Sequence, residues 1–254
     1  MKLYVYAITD MPDEPLSSAL GLCEASPAAV GLRDIAAVVS PISMDEIPQT
    51  EENLWRHEQV LEALMDDRAV LPVRFGTVLA DEADVERSLE HNYDEFASRL
   101  GRVRGHVEIA LRVLWDGAEP EGIASPAEFA SGRDYMLCRV AEEREMEERR
   151  QHAEVLADEL DGGLSRLASE STRKVQPAQR MFLHAAYLVP VDAVEDFKTE
   201  VGKLSDAHPD LRFLCTGPWP PFSFVGKQSC APRYVPTMPE VLGAVGLSPP
   251  SDHE

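Results

Sequence analysis

The chain has 254 residues, more than the roughly 100 to 200 residues of a typical single domain, so two domains are expected. It carries 24 basic and 45 acidic side chains, which give a formal charge of −21 at pH 7. This charge repels nucleic-acid phosphates and anionic lipid surfaces, so partners of both classes are disfavoured. The simplest role of the surplus carboxylates is to keep the protein in solution.

The N-terminal apolar run from Leu3 to Ile8 is too short for a signal peptide or a membrane span, so a cytoplasmic location is expected. The cysteines are scattered without a C-x-x-C spacing, which indicates reduced thiols and disfavours both a zinc site and a disulfide framework. They are Cys23, Cys138, Cys215 and Cys230.

The first half of the chain alternates between strand and helix patterns. Thr50 can cap a helix whose first turn is acidic, which suits the helix dipole. Because Pro72 has no backbone N–H to donate, its strand is predicted to lie at a sheet edge or to be a strand start. The predicted strands cover 3–9, 30–32, 34–40 and 70–75, and the predicted helices cover 51–67 and 82–100.

The second half predicts a sheet with helices on one face. A long strand over 107–115 precedes a long helix, which should begin at Ser125 because the following residues have first-turn proline and capping-box spacing. After it come a strand over 180–189, a helix opened by Asp192 with Glu195 in capping-box geometry, and a last strand from Leu211 to Cys215. With short right-handed crossovers this order predicts a split βαβ sandwich.

The segment 142–152 of the long helix is polar all round. Pairs such as Glu145 with Arg149 can hold such a helix in water. A solvated helix is the favoured interpretation, and an arm that binds a partner is the alternative.

His57 and Glu58 fall within the apolar stripe of the helix over 51–67, so both should point toward the core. Because a buried charge needs a partner, one of them is predicted to meet Arg74 in a buried pair. The His57-Glu58 dipeptide also looks like half of a metalloprotease motif, but position 61 is leucine, so no zinc site is expected.

Signatures of enzymes are missing from the sequence, which has no phosphate loop, no dinucleotide fingerprint, no nucleophile elbow and no H-E-x-x-H motif. Glu108 and Arg112 share one face of a strand, where a polar sheet surface is far commoner than a catalytic acid. The sequence therefore predicts no catalytic residues, no cofactor and no bound metal.

The run from Gly217 to Phe222 combines prolines with large aromatic rings. In one interpretation it crosses a groove between the domains and buries its rings. In the other, Trp219 and Phe222 stay partly exposed and anchor a partner. The first is favoured. The candidate structural or partner-contact residues are His57, Glu58, Arg74, Glu108, Trp219 and Phe222.

Three motifs in a fixed order carry a resemblance to a known family. They are Val70 to Thr77, Gly105 to Trp115 and Thr216 to Val225, preceded by the strand from Leu3 to Ile8 and by His57-Glu58. Together they resemble the gas vesicle protein F/L family, the GvpF/GvpL accessory proteins of microbial flotation organelles. The resemblance extends from about residue 3 to about residue 226.

This resemblance implies an α+β protein with an N-terminal α+β domain of unusual topology and a C-terminal modified ferredoxin-like domain with a long helical insertion. The expected bounds are 1–103, 104–226 and an extended, partly disordered, Pro-rich tail over 227–254.

The resemblance also implies a gas vesicle accessory or minor structural protein that binds the small hydrophobic shell protein and assists assembly. Other accessory proteins are possible partners. The strand near Pro72 and the aromatic tail are alternative contact surfaces. A small-ligand-binding regulatory protein on a ferredoxin-like domain is the alternative function, and a cryptic hydrolase around His57, Glu58 and Arg74 is a third.

Overall fold

The computed structural model describes residues 1–12, 16, 19–44, 46–116, 131–176 and 180–226. Helices and two antiparallel sheets make up these residues, which confirms the α+β class. The predicted helix start at Ser125, the tail over 227–254 and Cys230 lie outside the described residues.

The first sheet has the order β2-β3-β1-β4, and β5 also pairs with β1. β4 pairs with β1 and ends this order, as the proline in the strand predicted. The elements of this half are β1 (Lys2–Asp10), β2 (Ala28–Leu32), β3 (Ile35–Ile42), α1 (Glu51–Met65), β4 (Val70–Pro72), β5 (Val78–Leu79), α2 (Glu82–His91) and α3 (Tyr93–Val103).

The helix predicted over 82–100 is two helices that meet at Asn92. The Asn92 side-chain amide donates a hydrogen bond to the Ser88 carbonyl at 2.8 Å, and the backbone there leaves the helical region (φ −111°, ψ 14°). Asparagine competes for backbone groups in this way, which explains the break.

The second sheet has the order β7-β8-β6-β9, with every neighbouring pair antiparallel. Along the chain its elements alternate as β-α-β-β-α-β, which is the ferredoxin-like arrangement. They are β6 (His106–Trp115), α4 (Gly132–Leu164), β7 (Glu170–Val175), β8 (Met181–Pro190), α5 (Val194–Ala207) and β9 (Leu211–Trp219).

Two predictions for this half were wrong. β7 was missed because its four central residues are exposed and polar, so no apolar row marks it as a strand. The capping box at Asp192 does not form: a short 3₁₀ turn covers Val191–Ala193, and α5 begins after Ala193 without a side-chain cap.

Among the described residues, three apolar clusters hold the structure together. One lies between α1 and the first sheet, and a second lies under α4 and α5 against one face of the second sheet. The third joins residues of both sheets: it contains Leu71 and Leu100 from the first half, Leu188 from β8, and Phe224 with Val225 from the end of the described chain. The segment after β9 is therefore part of the packing that joins the halves.

Candidate functional site

His57 lies on the buried face of α1, as its position in the apolar stripe predicted. Its ring stacks on Tyr6 at a centroid distance of 5.7 Å, and the rings of Tyr4 and Phe75 meet it edge-on. The imidazole Nδ1 is 2.9 Å from the Tyr4 hydroxyl, which also accepts a hydrogen bond from the Gly76 amide at 3.2 Å. The Tyr4 hydroxyl therefore has two hydrogen-bond partners, the imidazole and the Gly76 amide.

Burial keeps this imidazole neutral. It lowers the pKa of His57 to about 4, against a smaller opposing effect of a hydrogen bond with the Val73 backbone. The neighbouring Tyr6 hydroxyl accepts from the Leu22 amide at 2.8 Å and is 2.7 Å from Ser40 Oγ. Because these buried polar groups have partners, we interpret the cluster as a packing element.

The buried pair predicted for Arg74 does not form as expected. His57 hydrogen-bonds with Tyr4 and with the Val73 backbone, and both Glu58 and Arg74 are only half-buried. Burial raises the pKa of Glu58, and the nearby carboxylate of Glu62 raises it further. His57 is buried, so it does not reach the open surface that the hydrolase hypothesis requires.

Glu108 and Arg112 lie on one face of β6, and both side chains are buried there. Glu108 Oε2 accepts a hydrogen bond from the Ser223 amide at 2.7 Å, and Oε1 accepts one from the Ser223 hydroxyl at 2.8 Å. Burial raises the pKa of the Glu108 carboxyl, while the two bonds from Ser223 oppose that effect. Arg112 Nε donates to Nε2 of His184 at 3.1 Å.

The segment 219–225, called the aromatic segment below, has some side chains that are buried and others that are exposed, so each of the two interpretations fits a part of it. Phe224 and Val225 are buried in the cluster shared by the sheets, as the structural interpretation predicted. Phe222 is 46% exposed, as the partner interpretation requires, and Trp219 is half-buried. The segment is therefore anchored at Ser223 and Phe224 and presents one ring to solvent.

The residues that hold these arrangements were only partly predictable. Glu108 and the aromatic segment come together although Ser223 lies 115 positions further along the chain. Tyr4, Tyr6 and Ser223 were missed as polar partners. The spacing of Tyr4 and Tyr6 by two in a strand puts both hydroxyls on one sheet face, and that was the available signal.

Within the described ranges, no group of three or more His, Cys, Asp or Glu side chains is arranged to hold a metal ion. Among the same residues, none of the helices is both long and apolar enough to span a membrane. The described cysteines Cys23, Cys138 and Cys215 are free thiols.

A family model described as "Gas vesicle synthesis protein GvpL/GvpF" matches residues 2–226. The chain belongs to the GvpL/GvpF family. Gas vesicle protein L of Streptomyces sp. (strain CB03234) is 34% identical over 250 residues, which cover 88% of this chain and 92% of that protein. Gas vesicle protein F2 of Halobacterium salinarum is 27% identical over 227 residues, with 88% and 91% covered.

The fold of this GvpL/GvpF member matches solved structures of the family. The crystal structure of GvpF from Anabaena sp. PCC7120 superposes with a TM-score of 0.74 at 20% identity, covering 88% of this chain and 98% of that one. GvpF from Microcystis aeruginosa gives a TM-score of 0.69. Family membership supports an accessory role in gas vesicles, and the family is not known for catalysis.

Proposed function

We propose that this protein binds the small apolar shell protein of gas vesicles and assists its assembly in the cytoplasm. Its outer strand β9 and the neighbouring aromatic segment supply the contact. The observation that carries the proposal is the exposure of apolar side chains there: Leu214 is 42% exposed and Phe222 is 46% exposed. Family membership supplies the gas vesicle context.

Leu214 and Phe222 are connected through the face of the second sheet that carries Glu108. Leu214 pairs with Arg112 in the β6–β9 ladder, so it lies on the sheet face that carries Glu108. Glu108 in turn holds Ser223, the residue next to Phe222. The hydrogen bonds of Glu108 thus hold the segment that carries the exposed Phe222 ring against this same sheet face.

β9 is suited to strand addition because it ends the order of its sheet. Its first part, from Leu211 to Thr216, contains no proline and can pair along its backbone. β4, the other surface considered, is less suitable, since its three residues are all buried and α1 and α3 contact the strand. We therefore choose β9 over the strand near Pro72.

The charge of the chain provides the second part of the function. An apolar strand of a shell subunit is an aggregation template until its edge or face is covered. A bound partner with a formal charge of −21 makes complexes repel one another and delays unwanted association. The protein thereby keeps new subunits available for addition to a growing wall.

The test is retention of freshly synthesised shell protein on the purified, immobilised chain. The unmodified chain should retain it, and Leu214→Asp combined with Phe222→Ala should reduce retention by about tenfold, because a charge and a truncation remove the apolar contact. The control is Val191→Ala, since Val191 is 59% exposed but lies in the 3₁₀ turn before α5. Equal retention by all three proteins would exclude β9 as the contact, and no retention by any of them would refute shell binding.

A further inference from the structure

The outward face of α1 carries an exposed tryptophan. Trp55 is 58% exposed, whereas His57, Val60, Leu61 and Leu64 of the same helix are buried. α1 therefore packs on the first sheet through its opposite face, and Trp55 is not needed for that contact. Large aromatic side chains are mostly buried in proteins, and tryptophan is enriched among residues that dominate binding energy at interfaces.

Trp55 lines a groove between α1 and the chain around Leu20. Leu20, which is 48% exposed, lies on the other side of this groove, and Gln59 and Ala63 complete its apolar and polar walls. An aliphatic side chain entering here would contact both Trp55 and Leu20. The groove therefore offers a place for an apolar anchor.

A row of carboxylates extends from the tryptophan along one side of the helix, and two of them, Glu62 and Asp66, line the groove. Glu58, Glu62 and Asp66 follow Trp55 by three, seven and eleven positions, which aligns them along one side of a helix. Arg56 does not neutralise them, because it pairs with Glu52 at 3.1 Å and with Glu24 at 3.6 Å. In the part of the chain that the structure describes, none of the three carboxylates has a cationic partner.

The carboxylates of Glu58 and Glu62 also repel each other. Burial of Glu58 and the charge of Glu62 together raise the pKa of the Glu58 carboxyl, so its ionised form is disfavoured. A cation placed between these side chains would relieve this repulsion. The same cation could lie over the face of the Trp55 ring.

We propose that this groove binds a segment of a partner protein in which lysine or arginine side chains flank an aliphatic residue. The aliphatic residue packs on Trp55 and Leu20, and the cations contact Glu62 and Asp66, the two carboxylates that line the groove. A second copy of this chain is a poor occupant because its own charge of −21 repels the acidic groove. This site lies on α1, outside the surface formed by β9 and the aromatic segment, and does not depend on shell binding.

The probe is a short fluorescein-labelled peptide of leucine and lysine at helical spacing, and its affinity for the full chain is measured by fluorescence anisotropy. Trp55→Ala should weaken binding by about tenfold or more, as loss of an aromatic anchor does. Glu62→Gln with Asp66→Asn should weaken it severalfold and reduce its salt dependence. Because these side chains are exposed, the variants should keep the melting temperature of the parent protein.

The matched control is Glu143→Gln with Glu147→Gln, which removes two charges from an exposed stretch of α4. This control and Leu214→Asp should bind the peptide within about twofold of the parent protein, so a failure of the β9 surface stays distinguishable from a failure of the groove. Equal weakening by the α4 control would show general charge attraction and overturn the proposal. Unchanged binding by Trp55→Ala, or a dimer that only Trp55→Ala dissociates in sedimentation, would overturn it as well.

Discussion

The cluster around His57 and the contact between Glu108 and Ser223 are two different solutions to the burial of polar groups. In the first, the partners come from strands and a helix of one half of the chain, and aromatic rings surround the imidazole on several sides. In the second, a carboxylate of β6 is satisfied by a single residue at the far end of the described chain. The first arrangement should therefore be essential to one core, and the second should control the attachment of one segment.

The largest effect is expected for His57→Ala. The substitution leaves a cavity among Tyr4, Tyr6 and Phe75 and removes a hydrogen-bond partner of the Tyr4 hydroxyl, so the free energy of unfolding should fall by about 4 kcal/mol. Chemical denaturation monitored by circular dichroism measures this change. The exposed His91→Ala should change stability by less than about 0.5 kcal/mol, and a similar value for His57→Ala would contradict the packing role.

Acidification should also destabilise the His57 cluster. The pKa of His57 is about 4 in the folded protein and 6.5 ordinarily, so between these values the unfolded chain binds the extra proton. Stability is thus fully present above pH 6.5 and falls as the pH drops toward 4, by about 3 kcal/mol from this group. Comparison of denaturation at several pH values with His57→Phe isolates the effect, because Glu58 and Glu108 titrate in both proteins. Parallel pH profiles would contradict it.

Glu108→Ala tests the attachment of the aromatic segment. It removes both acceptors of Ser223, and the loss should be about 2 kcal/mol in the free energy of unfolding, with faster amide exchange over 222–225. Glu108→Gln keeps one acceptor oxygen and should lose about half as much. If exchange over 222–225 stays as slow as in the parent protein, the attachment does not depend on this carboxylate.

Gly217→Ala should produce a smaller loss at the same junction. Gly217 has a φ of +123°, and a Cβ atom there would lie 2.7 Å from the Glu108 carbonyl oxygen. The substitution should therefore destabilise the protein by about 1 to 2 kcal/mol. Gly202→Ala is the control, because Gly202 lies within α5 with no atom near its added Cβ and should gain up to about 1 kcal/mol. If both substitutions increased the free energy of unfolding, the backbone around Gly217 and Glu108 would have to accommodate a Cβ atom without strain.

The sequence alone determined much of the local secondary structure of this protein. The β-branched and aromatic residues of β1, the alternation in β6 and the apolar stripe of α1 predicted these elements, and the proline of β4 predicted its edge position. Each of these signals depends on neighbours within a few positions. The same stripe placed His57 in the core. The ordered motifs also predicted the family that the comparisons confirm.

Only the tertiary structure decided which distant groups meet. Tyr4 bonds His57 across 53 positions, and Glu108 bonds Ser223 across 115, and no periodicity encodes contacts at such separations. The exposed strand β7 was recognisable only by its pairing with β8, since a polar edge strand has no apolar row. The physical reason is that chain proximity sets local conformation, whereas burial and the need to satisfy each buried polar group set the long-range partners.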